Sequence, residues 1–332
     1  MSRKKIAING FGRIGRLVFR LLHNHPDVEV VAVNDLADNA TLIHLLRFDT
    51  AQGKFPGTAT TEGEYLVVNG HKILGLAERD PEQLPWDKLG VDIVIECTGL
   101  FRSRDKATKH LTAGAKRVVI SAPAKGDIKT IVLGVNDALL EDNDTIISNA
   151  SCTTNCLAPM VKILEENFGI EKAFVTTVHA YTADQRLQDA PHEDLRRARA
   201  AAQNIVPTTT NAGTALGEVM PGTKGKIFAS ALRVPVIAGS ITELNVLLKA
   251  EATVEKVNSA FQNAAETHLK GILEYTEDEI VSSDIVGNPA SCIFDSKLTL
   301  VEGNFIKITG WYDNESGYSN RLADLVLRMG SL

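Results

Sequence analysis

The sequence predicts two α/β units in tandem: a doubly wound parallel sheet over residues 1–150, and an α+β unit with a mixed or antiparallel sheet over residues 151–315. Three observations lead there. The first half alternates short, mostly apolar runs with helical stretches, as strands buried on both faces and their crossover helices require. The second half shifts to longer, more alternating runs, such as Lys226 to Val234 and Ser240 to Ala250, which is how strands with one open face read. The length, 332 residues, is too great for one ordinary domain and comfortable for two. A last helical pattern, Asn320 to Met329, is expected to return residues 316–332 to the first unit.

Bulk composition narrows the function. Apolar residues make up 44% and charged residues 23%, as in an ordinary soluble globular chain. The net charge of -6 gives no reason to expect nucleic acid as a partner. Four cysteines (Cys97, Cys152, Cys156 and Cys292) are too few for a disulfide framework in so long a chain, and no pair has zinc-ligand spacing. The basic start runs into a strand interrupted by Gly10 and Gly12, which is not a signal peptide. No apolar run approaches the ~20 residues of a membrane helix. The expectation is a cytoplasmic protein with no membrane partner and no metal.

The elements of the first unit follow in order. Lys5 to Asn9 reads as a strand, Gly10-Phe11-Gly12-Arg13-Ile14-Gly15 as a turn, and Arg16 to His25 as a helix. Val28 to Asn34 is a second strand, closed by Asp35. A G-x-G-x-x-G alone also fits an ordinary glycine turn. Here a strand precedes it, a helix follows, and an acidic residue ends the next strand about 20 residues on, which is the dinucleotide-binding (Rossmann-type) arrangement. Gly10 permits the tight turn, Gly12 the approach of a pyrophosphate, and Gly15 close packing of helix on strand; the phosphates meet the helix N-terminus. Asp35 is placed to accept from ribose hydroxyls and to repel a 2′-phosphate, so the expected cofactor is NAD. Strands at Val91 to Glu96 and Arg117 to Ser121 flank a helix at Asp105 to Ala113. Ligands of such sheets sit beyond the strand carboxyl ends, which puts Thr98-Gly99 and Ser121-Ala122 near the cofactor.

In the second unit, Ser148 to Ser151 lead into a helix from Cys152 to about Phe168, with Gly169 as its stop and Ser151 as N-cap. The positive end of a helix stabilises thiolate, so the Cys152 thiol is expected to have a lowered pKa. Cys156, one turn deeper, reads as packing. A strand from Ala173 to Val178 then ends at His179, where an imidazole could activate the thiol. Taken singly, a cysteine at a helix start is more often structural than catalytic, and His179 is equally open to a structural reading.

Five motifs occur in order: Gly-Phe-Gly-Arg-Ile-Gly at 10–15, Ala-Ser-Cys-Thr-Thr-Asn-Cys at 150–156, His-Ala-Tyr-Thr at 179–182, Asp-Leu-Arg-Arg-Ala-Arg-Ala-Ala-Ala at 194–202 and Trp-Tyr-Asp-Asn-Glu at 311–315. The chain thereby resembles the bacterial-type, phosphorylating glyceraldehyde-3-phosphate dehydrogenases over essentially its whole length. The resemblance implies an NAD-dependent glycolytic oxidoreductase, with Cys152 as nucleophile, His179 as base and a thiohemiacetal followed by a thioester on Cys152. It implies that Arg13 and Ile14 contact the cofactor pyrophosphate and Asp35 the ribose. Arg79 would stand on the adenine side and Ser121 on the nicotinamide side, and Asn314 would hold the carboxamide. Ser151, Thr153, Thr182, Arg197, Thr210, Asn211 and Arg233 correspond to two phosphate subsites, for glyceraldehyde 3-phosphate and inorganic phosphate, and guanidinium forks and hydroxyls suit that task. A homotetramer is implied as well. Pro191, with Asp35, points to NAD.

Three places depart from the commonest pattern of that family. Asn211 stands where glycine is usual, in a loop where tolerance of left-handed backbone would matter. Ser316 replaces a larger residue and is expected to thin the apolar cover near Asn314. Pro235 to Ser240 replaces a more proline-rich stretch. Two other readings stand beside the main one: a relative acting on erythrose 4-phosphate with water as acceptor, and a non-catalytic NAD-binding regulator or adhesion protein.

Overall fold

A computed structural model describes residues 3–332. The chain divides into two compact units. One comprises the residues up to Ile131 with Ala138–Ala150 and Ser319–Leu332; the other comprises Val132–Asp137 and Ser151–Tyr318.

The first unit is built on nine strands: β1 (Lys4–Asn9), β2 (Val28–Asn34), β3 (Ala59–Glu62), β4 (Tyr65–Val68), β5 (His71–Leu76), β6 (Ile93–Glu96), β7 (Arg117–Ile120), β8 (Lys129–Thr130) and β9 (Ile146–Ser148). They form one sheet in the order β3-β4-β5-β2-β1-β6-β7-β9-β8. From β5 to β8 every pairing is parallel, and β3, β4 and β5 add an antiparallel edge. The chain leaves β1 toward β2 on one side and returns to β6 on the other, so the order reverses between β1 and β6. Such a switch point opens a crevice at the carboxyl ends of those two strands. Helices α1 (Arg13–Leu22), α2 (Asn39–Arg47), α3 (Trp86–Leu89) and α4 (Arg104–Thr112) lie in the connections. Ile6, Ile8, Val18, Phe19, Val33, Ile95 and Val119 are completely buried, as parallel strands covered by helices require.

The doubly wound sheet predicted from the alternation is therefore present, with differences at the edges. α1 begins at Arg13, three residues before the expected start, because Gly15 lies inside the helix. A Cβ there would stand 2.1 Å from the Gly10 carbonyl oxygen, so the close packing selects glycine within a helical turn. The β3–β5 meander was not foreseen: its strands are short, and most of its first eight strand residues face solvent or half face it.

The second unit carries α5 (Cys152–Asn167), β10 (Ile170–Ala180), β11 (Val206–Thr208), α6 (Ala212–Val219), β12 (Ile227–Val234), β13 (Ser240–Leu248), α7 (Val254–Glu266), β14 (Leu273–Thr276), β15 (Cys292–Asp295), β16 (Leu300–Glu302) and β17 (Phe305–Tyr312), with α8 (Ser316–Ser331) following. Its sheet is mixed, in the order β11-β12-β10-β13-β17-β15-β14 with β16 on β17. β10 runs parallel to β12 and antiparallel to β13. β13 alternates buried and half-buried residues along its whole length, the mark of a strand with one packed face. The residues of α5 from Cys156 to Leu164, all buried except Lys162, supply apolar cover for this unit. Residues 132–137, expected with the first unit, group with the second. Lys162 Nζ donates to the Gly134 carbonyl at 2.8 Å, and a Cβ at Gly134 would meet Leu269 and Ile272.

Candidate active site

Cys152 opens α5. Ser151 caps the helix, its Oγ accepting from Thr154 N at 3.1 Å. The preceding residue, Ala150, has φ +57°, so the strand-to-helix turn holds a non-glycine residue in left-handed backbone beside Cys152. Cys152 Sγ lies 3.4 Å from Nε2 of His179. His179 sits at the end of β10, 6% exposed. Its Nδ1 is 2.7 Å from the Ala180 carbonyl oxygen. Arg233 is the register partner of His179 on β12, with Nη1 2.5 Å from His179 Nδ1 and 3.0 Å from Ala180 O. Cys152, His179 and Arg233 are thus brought together from three elements.

The electrostatics correct one expectation. Burial pushes the Cys152 thiol up, and Arg233 together with the Thr153 hydroxyl and nearby backbone N–H groups pull against it. A lowered thiol pKa is therefore not the resting condition; the helix start is outweighed by removal from water. Burial, reinforced by the Arg233 charge, pushes the His179 imidazole down to about 3. Arg233 acts on both partners: it favours thiolate and opposes imidazolium. Burial raises two further thiols, with no guanidinium to oppose it. Cys97 is pushed up to about 12 by burial, and Cys156 goes well above its ordinary value for the same reason with Cys292 adding to it.

Thr153 and Tyr312 adjoin this centre, and the other polar candidates of this unit are placed by their own hydrogen bonds. Thr153 Oγ1 is 3.0 Å from the Tyr312 hydroxyl, and the Tyr312 ring meets His179 edge-on at 6.0 Å. Tyr312 was not singled out from the sequence. The alternation along β17, which places Ile308, Gly310 and Tyr312 on buried positions of one face, is the signal that could have found it. Arg197 is engaged by Asp184 at 2.6 Å, Thr208 Oγ1 at 2.7 Å, Thr209 Oγ1 at 3.2 Å and Asp194 at 3.4 Å. Thr182 N donates to Gln185 Oε1 at 3.4 Å. Thr210 Oγ1 accepts from Ala212 N. Asn211 is the N-cap of α6 with φ −103°, so the left-handed backbone anticipated there does not occur and asparagine is unstrained. Asn314 Oδ1 accepts from Ser240 Oγ at 3.0 Å, and Ser240 Oγ accepts from Ala180 N at 3.1 Å. That chain ties Asn314 to the backbone next to His179 through Ser240, which sequence reasoning had only as part of a divergent stretch. Ser316 donates to the Gly287 carbonyl at 3.1 Å as α8 begins.

The remaining candidates belong to the first unit. A cleft of about 450 Å³ is lined by Gly10, Gly12, Asp35, Arg79, Thr98 and their neighbours, at the β1/β6 switch point. Gly10 has φ +92°, and a Cβ on it would meet the Cys97 carbonyl carbon at 2.7 Å. A Cβ at Gly12 would meet nothing within 4 Å, so the middle glycine opens onto space. Asp35 Oδ2 accepts from Phe11 N at 2.8 Å and Oδ1 from Ala37 N at 3.1 Å, fixing the carboxylate at the rim. Ile14 and Gly15 lie in the first turn of α1, whose N-cap Gly12 carries no side chain to occupy the amides. A turn closed to side chains, an uncapped helix start and an anchored carboxylate fit an adenine dinucleotide. The Arg13 guanidinium is held by Asp49 at 2.5 Å. Ser121 N donates to Glu96 O at 2.9 Å, and its hydroxyl bonds the Cys97 thiol.

Among the described residues no helix is long and apolar enough to cross a membrane, and no three or more His, Cys, Asp and Glu side chains are grouped so as to hold a metal ion.

Comparison with known proteins adds relatives to this geometry. Residues 4–104 match the NAD binding domain, and residues 151–314 the C-terminal domain, of glyceraldehyde 3-phosphate dehydrogenase. A glyceraldehyde-3-phosphate dehydrogenase of Streptomyces coelicolor is 58% identical over 331 residues, covering 98% of each chain. Proteins of the same name from Mycobacterium avium and Mycobacterium tuberculosis are 57% identical over 333 residues, again covering 98% of each chain.

Proposed function

The chain belongs to the glyceraldehyde-3-phosphate dehydrogenase family, and from that premise we propose that Cys152 and His179 carry its chemistry. The protein is a glycolytic, NAD-dependent oxidoreductase acting on glyceraldehyde 3-phosphate. The observation that carries the residue assignment is the 3.4 Å approach of Cys152 Sγ to His179 Nε2 at the start of α5.

For Nε2 to accept the thiol proton, Nδ1 must bear the other ring proton and donate to the Ala180 carbonyl at 2.7 Å; Arg233 Nη1, itself only a donor, then directs its hydrogen at that same carbonyl, 3.0 Å away, rather than at Nδ1. Sγ adds to the aldehyde carbon as its proton passes to Nε2. The imidazolium, otherwise disfavoured by burial and Arg233, gains its counter-charge from the thiolate and then from the oxyanion. Nε2 returns the proton to that oxygen, giving a thiohemiacetal. The bound cofactor supplies a hydride acceptor. As hydride leaves the carbon, Nε2 takes the hydroxyl proton again, and a thioester remains on Sγ. Inorganic phosphate attacks the thioester carbon and Cys152 departs as thiolate, releasing 1,3-bisphosphoglycerate. Two easier steps replace one hard one.

Ser151, Thr153, Thr182, Arg197, Thr210, Asn211 and Arg233 form the two phosphate subsites in this reading. Arg197 would exchange its contact with the half-exposed Asp184 for phosphate oxygens. Gly10, Gly12, Arg13, Ile14, Gly15, Asp35 and Arg79 hold the cofactor in the first unit, with Ser121 and Asn314 on the nicotinamide side. The Arg13 guanidinium, held by Asp49, orders the turn, and the pyrophosphate is met by the helix start.

The chain assembles as a homotetramer in the cytoplasm. The open face of the second sheet supports assembly: Phe174 is 68% and Phe228 47% exposed, their rings 5.7 Å apart on neighbouring strands, with Phe305 exposed on β17. Apolar rings grouped on one sheet face fit a subunit contact.

The test follows NADH formation from glyceraldehyde 3-phosphate with and without inorganic phosphate, with NADP in place of NAD, and with Cys152→Ser. Fast turnover is expected only with phosphate, NAD and the thiol together. Turnover without phosphate would replace the thioester–phosphate route by hydrolysis, and near-normal activity of the serine variant would refute the nucleophile.

A further inference from the structure

Three adjacent parallel strands of the first unit end in a polar residue: Asn34 on β2, Asn9 on β1 and Glu96 on β6. They stand in register, Asn34 beside Asn9 and Asn9 beside Glu96. All three are at least 96% buried. A row of polar groups at the end of otherwise apolar strands is costly unless every group is satisfied. Here the row is connected throughout. Asn34 Nδ2 donates to Asn9 Oδ1 at 2.7 Å, and Asn9 Nδ2 donates to Glu96 Oε2 at 2.6 Å. Glu96 Oε1 accepts from Thr98 N at 2.8 Å and from the Thr98 hydroxyl. His110 Nε2 lies 3.0 Å from Glu96 Oε2.

Trp86 determines the histidine's tautomer. Its indole Nε1 is 3.1 Å from His110 Nδ1. An indole N–H can only donate, so Nδ1 accepts and the ring proton sits on Nε2, directed at Glu96. His110 is therefore a neutral donor, although the pair has the geometry of a salt bridge. Glu96 is an acceptor at the centre of four donors, with no cation among the residues that bond it in this network. Asn9, Asn34 and Thr98 line the 450 Å³ cleft; Glu96 and His110 lie beneath it.

We propose that Glu96 is a positioning residue for the cofactor: held by the neutral His110, it fixes the Thr98 backbone and the Asn9 side chain that form the floor of the NAD cleft. The proposal rests on the reading of this cleft as the cofactor site. Glutamine at 96 would keep the shape but replace an acceptor with an N–H₂ facing donors, whichever way the amide turns. The floor would then shift while the Cys152 centre of the other unit is left intact.

The experiment measures NAD binding to the full-length protein by calorimetric titration and, separately, cofactor-free hydrolysis of p-nitrophenyl acetate by the Cys152 thiol. For Glu96→Gln, a rise in the NAD Kd of tenfold or more is expected, with ester hydrolysis within twofold of the parent. A rise below fivefold, or a loss of ester hydrolysis as large as the loss of affinity, overturns the proposal. Should that variant not accumulate as folded protein, His110→Gln and His110→Phe decide instead. Glutamine retains a donor toward Glu96 and an acceptor for the indole; phenylalanine retains neither. Affinity kept by Gln and lost by Phe supports the role, and equal affinities overturn it. Asp35→Ala serves as the control on the premise. If it leaves the NAD Kd unchanged, the cleft is not the cofactor site, and the failure lies there rather than with Glu96.

Discussion

Cys152, the proposed nucleophile, shows how much of a thiol's behaviour lies outside its own position. Its place at a helix start and the nearby histidine were legible in the sequence, but the direction of its pKa was not. Burial raises the thiol, and Arg233, a strand away in the fold and 81 positions on in the chain, pulls it down. Removing that guanidinium should shift the thiol further up and reduce the thiolate present at neutral pH. Arg233→Ala is therefore expected to slow alkylation of Cys152 by iodoacetamide at pH 7 by about tenfold. Arg233→Lys should recover part of the loss. Equal rates in all three proteins would show that Arg233 does not set the thiol's ionisation. Cys97 and Cys156 should resist the reagent in the folded protein, since burial raises both thiols and no guanidinium pulls against it as Arg233 does at Cys152.

At the scale of elements, the starts of α1 and α5 do the positioning. Both follow a tight turn at the end of a parallel strand, but they solve the backbone problem differently. Gly10 takes φ +92° without a Cβ, whereas Ala150 takes φ +57° with one. A left-handed alanine costs about 1 kcal/mol relative to glycine, and a β-branched residue is disfavoured more strongly. Ala150→Val is expected to destabilise the protein by about 2 kcal/mol or more in urea unfolding and to impair Cys152 alkylation. Ala150→Gly should unfold no more easily than the parent. An Ala150→Val protein with unchanged stability and reactivity would mean that the turn carries no strain. The alternation of apolar runs located β1, β2, β6 and β7 to within two residues at each end, because strands buried on both faces leave a strong signal. The β3–β5 meander left little trace, since short, solvent-facing strands carry no apolar period.

For the whole molecule, pH acts through groups that folding removes from water. His179 has an ordinary value near 6.5 when unfolded and about 3 in the fold. The unfolded chain thus binds a proton that the folded chain refuses. This contribution is complete above about pH 6.5 and is lost as pH falls toward 3. The urea midpoint should therefore drop between pH 7 and pH 5, and His179→Asn should flatten that drop. A parallel fall in both proteins would assign the acid sensitivity elsewhere. The proposed assembly is a second property of the whole. Replacing Phe174 and Phe228 together by glutamate would place charges on the open sheet face, and light scattering should then report a particle smaller than four chains of 35.9 kDa. An unchanged mass would remove this face from the interface.

The sequence by itself determined the two-unit α/β architecture, the dinucleotide turn with Asp35, and the candidacy of Cys152 and His179. Each of these rests on local signals: a period, a glycine spacing, a helix start. Tertiary structure alone decided what those residues meet. It set Arg233 against His179 across two strands, tied Asn314 to Ala180 through Ser240, held the Arg13 guanidinium on Asp49, and joined Asn34, Asn9, Glu96 and His110 in one buried row. The physical reason is that burial and hydrogen-bond partnership are set by residues distant in the chain, and those two quantities govern protonation and orientation.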